Sequence, residues 1–230
     1  MTINQISIKE KRYLNIISMA FATCLITSNL AATKICNFWG INLPCGILLF
    51  PLLYVLNDIL TEVYGFSVSR KVVWTALACN LFLSLYLYLA TQFKSSSYAH
   101  NQQEFEAIFS LSPKIFTASI ISYLIGELVN AIIISQLKIK LKGRMFALRA
   151  IISTTIGSAI ESMIFCMVAF ANIFALTEVT KMALTLTVIK VLYEILAMPI
   201  SLRLVCLLKA AEEVDVYESP SLRNLLPKLM

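Results

Sequence analysis

Residues Tyr13–Thr33 read YLNIISMAFATCLITSNLAAT, twenty-one positions without a charge. As a helix this run measures about 30 Å, enough to cross the hydrocarbon core of a bilayer. Lys9, Lys11 and Arg12 precede it as they would a signal peptide. The apolar stretch is too long for a signal-peptide core, so it reads as a retained first helix. Five more runs of similar length follow: Leu43–Val63, Val72–Thr91, Ile115–Leu137, Ala150–Ile173 and Ala183–Leu208. Their apolar character does not alternate with period two, which excludes a transmembrane barrel. The fold expected is an all-α integral membrane protein of about six transmembrane helices. Its second helix is broken by Pro44, Gly46 and Pro51, with a partly re-entrant course left open. Residues 1–210 form a single six-helix transmembrane domain in this reading, and 211–230 a short charged cytoplasmic tail.

Composition agrees with the runs. The chain has 230 residues, 59% hydrophobic and 14% charged, with a mean hydropathy of +0.80. Soluble domains carry about 25% charged residues, so a water-soluble enzyme and a disordered chain are both excluded. The net charge of +6 is a topology signal. Fourteen of the nineteen basic residues fall on the sides holding the two termini, four fall on the other, and Lys190 lies within a span. That imbalance places both termini in the cytoplasm. No basic stripe interleaved with aromatics calls for a nucleic-acid partner. The long outer connection, 92–114, ends in Phe105, Ile108 and Phe109 at helical spacing, which predicts a short interfacial helix. The charged tail after Lys209 is expected to be peripheral.

Enzyme chemistry finds little support. The single histidine, His100, lies in a polar outer loop and has no helical partner, either for a zinc site or as the base of a membrane serine protease. No catalytic residue, metal site or cofactor is expected. The six cysteines form no C-x-x-C pair, and those at 24, 79, 166 and 206 lie in apolar spans, where a free thiol packs as a small hydrophobe. Cys36 and Cys45 flank one outer loop and have the option of approaching each other. Packing is the expectation for them too.

The informative residues are acids at membrane depth. Glu127, Glu161 and Glu194 each fall near the midpoint of a span. An ionised acid at a helix centre costs about 2.5–3.5 kcal/mol to insert, so these three face the bundle interior, pair, or hold protons. Tyr123, Glu127 and Asn130 share one helix face, and Thr154, Ser158 and Glu161 share another. Lys190 and Glu194 stand four apart and are expected to neutralise each other. Asp58 and Glu62 also lie four apart, with Tyr54 one turn earlier. For Glu62 the plainer alternative is a pairing with Arg70 or Lys71 at the cytoplasmic end.

At this point the residues resemble a known family. The stretches Ser28-Asn-Leu-Ala-Ala-Thr-Lys34, Phe50-Pro-Leu-Leu-Tyr54 and Asp58-Ile-Leu-Thr-Glu-Val-Tyr-Gly65 are similar to those of the queuosine-precursor transporters, also called vitamin uptake transporters. Ser112-Pro-Lys114, Ala118-Ser119, Gly126-Glu127, Leu148-Arg149, Ser153-Thr154 and Glu161 extend the resemblance, which covers about Ser28 to Pro199. Where the family often carries glutamine, aspartate and aspartate, this chain has Glu127, Asn130 and Glu161. These keep hydrogen-bonding capacity and change charge.

The resemblance implies uptake, across a bacterial inner membrane, of a 7-deazaguanine base or queuine for tRNA modification. A carboxylate accepts both adjacent N–H donors of such a base, and aromatic rings make a slot for its flat face. The expected substrate-binding set is therefore Asn29, Phe50, Tyr54, Asp58, Glu62, Glu127, Asn130 and Glu161, with Trp74 as a further wall. Lys34, Arg149, Lys190 and Glu194 form a supporting charge network. Partners are the small-molecule base and the lipid bilayer, with a homodimer left open. ATPase subunits enter only under the alternative reading, a substrate-binding subunit of an energy-coupling-factor importer for a vitamin-like molecule. Ala20, Cys24 and Ser28 at four-residue spacing offer that reading a weak gripping stripe. A non-transporting membrane scaffold is disfavoured, because it has no use for buried acids.

Overall fold

The computed structural model describes residues 12–38, 40–94, 101–110 and 112–218. Helix α1 (Arg12–Ala31) leads into a two-stranded antiparallel hairpin, β1 (Ile35–Phe38) and β2 (Ile41–Pro44). A 3₁₀ turn (Cys45–Leu48) then opens into α2 (Phe50–Tyr64). The remaining helices are α3 (Phe66–Thr91), short α4 (Gln102–Ser110), α5 (Ser112–Lys140), α6 (Phe146–Phe170) and α7 (Leu176–Glu212). Among the described residues, five helices are long and apolar enough to cross a membrane: α1, α3, α5, α6 and α7. Large apolar side chains stay exposed along them, Phe82, Leu85, Leu196 and Leu207 among others, as a lipid-facing surface requires. The short helix expected before the fourth run is present as α4, with Phe105 and Phe109 in ring contact.

The run 43–63 departs most from expectation. It is not one interrupted helix, because each proline starts an element and breaks none. Pro44 ends β2 and caps the 3₁₀ turn, while Pro51 occupies the first turn of α2, where its missing N–H leaves no bond unmade. Helix α2 has 15 residues, about 22 Å, and 13 of them are buried. It runs through the middle of the bundle, touching α1, α3, α5 and α7. Gly65, at φ +87°, turns the chain from α2 straight into α3 in one residue, a conformation open to glycine.

Helices α3, α5, α6 and α7 begin three to seven residues before their apolar runs, and this has consequences. Helix α3 begins at Phe66, so its buried positions Phe66, Ser69, Arg70, Val73 and Leu77 carry Arg70 into the interior. Lys138 and Arg149 are likewise helical and buried. Helices α5 and α6 cross at glycines: a β-carbon on Gly157 would stand 2.8 Å from the Gly126 carbonyl oxygen and 2.9 Å from Cβ of Asn130. That close approach sets the α5 acid, Glu127, beside the α6 acid, Glu161.

Two further expectations are corrected. Cys36 and Cys45 are joined in a disulfide, because the hairpin that pairs Ile35 with Pro44 holds their Cα atoms 5.7 Å apart. The tail is not peripheral as far as it is described. The Val216 N–H donates to the Val63 carbonyl at 3.4 Å, the Ser67 N–H and hydroxyl donate to the Glu218 carboxylate, and Ser135 donates to the Glu218 carbonyl at 2.6 Å. His100 lies outside the described residues.

Candidate functional site

Helix α2 carries a polar ladder. Tyr54, Asp58 and Glu62 follow at four-residue spacing on one face, and each rung meets side chains from α5, α6 or α7. At the first rung the Tyr54 hydroxyl donates to Glu161 Oε2 at 2.6 Å, and Lys190 Nζ donates to the same oxygen at 2.5 Å. The Lys190 ammonium also lies 5.4 Å from the ring centres of both Phe50 and Tyr54, within cation–π range. A cavity of about 20 Å³ opens here, with Glu161 and Lys190 on its polar side and Ile47, Phe50, Phe165 and Leu186 on its apolar side. Gly46 lets α1 close this pocket, since a β-carbon there would stand 2.3 Å from the Ser28 carbonyl oxygen.

At the second rung Asn130 Nδ2 donates to Asp58 Oδ1 at 2.8 Å. Asp58 Oδ2 and both oxygens of Glu194, which is within electrostatic reach of Asp58, have no hydrogen-bond partner although they are buried. Beside this rung, Arg70 Nη2 donates to Asn57 Oδ1 at 3.0 Å and stands 3.9 Å from Glu127 Oε2. Neither Glu127 oxygen accepts a hydrogen bond, and the neighbouring Tyr123 hydroxyl closes none of good geometry.

The third rung differs. Glu62 receives Arg149 Nη1 at 2.7 Å on one oxygen and Lys209 Nζ at 2.7 Å on the other. Lys138 Nζ lies 3.7 Å away, donates to the Glu62 carbonyl at 2.6 Å, and bonds Asp215 at 2.8 Å. Burial pushes the Asp215 carboxyl up, but hydrogen bonds from Lys138 and Lys209 outweigh it and hold the group below its ordinary value.

The residues expected from sequence thus separate into three groups. Phe50, Tyr54, Asp58, Glu127, Asn130 and Glu161 converge in the bundle interior. Glu62 belongs to an ion network at the bundle end, with Arg149 as its partner and not Arg70 or Lys71. Asn29 is buried on α1, where it accepts a bond from the Ser119 hydroxyl. Lys34 is exposed in the turn after α1 and joins no ion pair of the described residues. Trp74 is half-buried at the edge of the core. Lys190 reaches across to Glu161 on α6 and leaves Glu194 on its own helix unpaired. A lysine placed N-terminal to its glutamate is the weaker order for an i,i+4 pair, so the cross-helix acid wins. Sequence reasoning assigns neither Arg70 nor Lys138 to the site: both count toward the cytoplasmic charge, and Arg70 is also an alternative partner for Glu62. The signal for Arg70 was its phase, one residue after Ser69 and three before Val73 on the buried face of α3.

Comparison with known proteins adds a second line. The family described as "Putative vitamin uptake transporter" matches residues 44–204. A Bacillus subtilis protein named "Probable queuosine precursor transporter" is 26% identical over 157 residues, which is 68% of each chain. A Haemophilus influenzae protein of the same name is 26% identical over 148 residues, covering 63% of this chain and 59% of that one. No solved structure matches.

Proposed function

The chain belongs to the vitamin uptake transporter family, a family of membrane transporters and not of enzymes, and from that premise we propose that it imports a queuosine precursor, a 7-deazaguanine base or queuine, for tRNA modification. The observation that carries this reading is a set of buried carboxylate oxygens that accept no hydrogen bond among the described residues, Asp58 Oδ2 and both oxygens of Glu127 and Glu194, in the same interior as a cavity lined by Glu161, Phe50 and Phe165. Buried charge without a partner is costly, and inside a membrane bundle it marks a substrate or ion path.

The chemistry supports a purine-like cargo. Phe50 and Tyr54 offer faces for a flat ring, and a free carboxylate accepts its adjacent N–H donors. Asp58, Glu127, Glu161 and Glu194 face two cations, Arg70 and Lys190. A cationic aminomethyl substituent or bound protons balance the surplus. The cavity holds about one water at its present size, so entry of a bicyclic base requires its walls to separate. Alternating access meets that need: Gly46 and the 3₁₀ turn move away from α1 at one end, and the Glu62 network opens at the other.

The 3₁₀ turn and α2 together reach about 30 Å, enough for a sixth crossing of the membrane. In this arrangement both termini lie in the cytoplasm and the membrane is the bacterial inner one. The basic-residue imbalance supports this sidedness, and so does the disulfide at the hairpin end, which needs an oxidising compartment. Residues 1–210 act as one transport domain, and the 211–230 tail is cytoplasmic.

The test is a rescue experiment. The chain is expressed in a bacterium that neither makes nor imports queuosine precursors but keeps the tRNA-inserting enzymes. Each deazaguanine base is fed at low concentration, with an insertion enzyme that accepts queuine added for that arm. Queuosine in tRNA with one base, absent with empty vector, is the expected result. No modification with any base despite membrane expression overturns the reading. Modification only when ATPase subunits are co-expressed favours the importer-subunit alternative.

A further inference from the structure

Arg70 is buried, at 1% exposed, and the transport reading gives it no contact with the cargo. Its guanidinium is clamped along one edge only. Nη2 donates to Asn57 Oδ1, which also takes the Ser69 hydroxyl at 2.5 Å, and the group lies over the Phe66 ring at 5.5 Å. Nε and Nη1 have no hydrogen-bond partner among the described residues. Glu127, 0% exposed, holds Oε2 3.9 Å from Nη2, and neither of its oxygens accepts a hydrogen bond among the described residues.

A structural arginine–carboxylate pair closes to about 2.7–2.9 Å, because each group loses its hydration on burial and only the bond replaces it. The same protein closes one at 2.7 Å between Arg149 and Glu62. The Arg70–Glu127 pair instead stands side by side and open, offering two acceptor oxygens next to free N–H donors.

We propose that Arg70 and Glu127 together read the lactam edge of the transported base, and that Arg70 sets specificity for a ring carbonyl. This inference rests on the transport reading above and goes beyond it by naming the edge recognised. A guanine-type edge presents an amino group, a ring N–H and a carbonyl oxygen in a row. Glu127 accepts from the first two, and Arg70 donates from Nη1 or Nε to the third. An adenine-type edge turns its amino hydrogens toward the arginine donors and its bare ring nitrogen toward the carboxylate, so both contacts become repulsive. A ring that keeps the amino group but lacks the oxygen also loses the ring N–H, so it leaves the guanidinium unsatisfied and turns a bare nitrogen toward the carboxylate.

The experiment measures uptake of a labelled 7-deazaguanine into proteoliposomes against two unlabelled competitors, the oxo base and the same ring without the oxygen. The wild-type protein is expected to prefer the oxo competitor by about 10- to 100-fold, the worth of one hydrogen bond to a charged donor. Arg70→Gln and Arg70→Lys reduce affinity for the oxo competitor and leave the other unchanged, so the ratio falls by about 10-fold or more, to the remainder that Glu127 reads from the ring N–H. A merely structural Arg70 lowers both affinities together, and an unchanged ratio in a folded variant overturns the proposal. Should both variants fail to fold, the wild-type ratio still decides: equal competition by the two rings overturns it. Uptake of no deazaguanine at all is a different result, which overturns the transport reading and this inference with it. Transport without discrimination overturns this inference alone.

Discussion

Glu62 and Glu127 are both buried glutamates on helices of one membrane bundle, and their surroundings are opposite. Glu62 holds three cations, with Arg149 and Lys209 each at 2.7 Å and Lys138 at 3.7 Å. Glu127 faces one arginine across 3.9 Å and accepts no hydrogen bond. The first is a closed network that joins α2, α5, α6 and α7 and the tail at one end of the molecule. The second is an open polar centre in the middle. Two buried acids of equal sequence character therefore serve different ends, and satisfaction of their lone pairs separates them.

The largest effect expected from this contrast is on Glu62. Glu62→Ala leaves Arg149 buried without its acid, and removing one member of such a pair costs about 3–5 kcal/mol. Thermal unfolding in detergent is expected to show a marked loss. A variant as stable as wild type but dead in transport breaks the contrast, because Glu62 then belongs with Glu127.

Glu127→Gln is the reverse case. It loses no closed bond, so the loss of stability is expected to be well below that of Glu62→Ala, while uptake falls by about 10- to 100-fold. Equal uptake at equal protein level removes Glu127 from the site.

Gly157→Ala tests how the two regions are held apart. Its methyl meets the Gly126 carbonyl oxygen and Asn130 at under 3 Å, and overpacking of this kind costs about 1–3 kcal/mol. The expected result is a moderate loss of stability together with weaker uptake, as Asn130 is pushed off Asp58. Unchanged unfolding and uptake count against the tight α5–α6 crossing.

The smallest effect concerns Asp215, half exposed in the tail. Its native carboxyl titrates below the ordinary aspartate value of 3.8, so its contribution to docking is complete above that value and is lost as pH falls through the lower, native one. A fluorophore on a cysteine introduced as Tyr217→Cys is expected to report a docked tail at neutral pH and release only under strong acid. Asp215→Asn moves that release to neutral pH. Release that follows pH unchanged in Asp215→Asn assigns the switch to another group.

Much of this was readable before any coordinates. Five of the six apolar runs became membrane-length helices, because about twenty uncharged residues leave a chain few alternatives in lipid. Phe105, Ile108 and Phe109 announced α4. The run with Pro44, Gly46 and Pro51 was visibly unusual, yet its hairpin, 3₁₀ turn and buried short helix were not. Apolar content does not distinguish a helix crossing lipid from one enclosed by other helices.

The sequence alone determined that acids sit at membrane depth on α2, α5, α6 and α7, since position along a span is a matter of counting. Only the tertiary structure decided which acid meets which cation. Lys190 chose Glu161 over Glu194, Arg149 took Glu62, and the extra first turn of α3 brought Arg70 to Glu127. Helical period specifies the face a side chain points from. The partner it reaches depends on how closely neighbouring helices approach, and here glycines at 46, 126 and 157 set those distances.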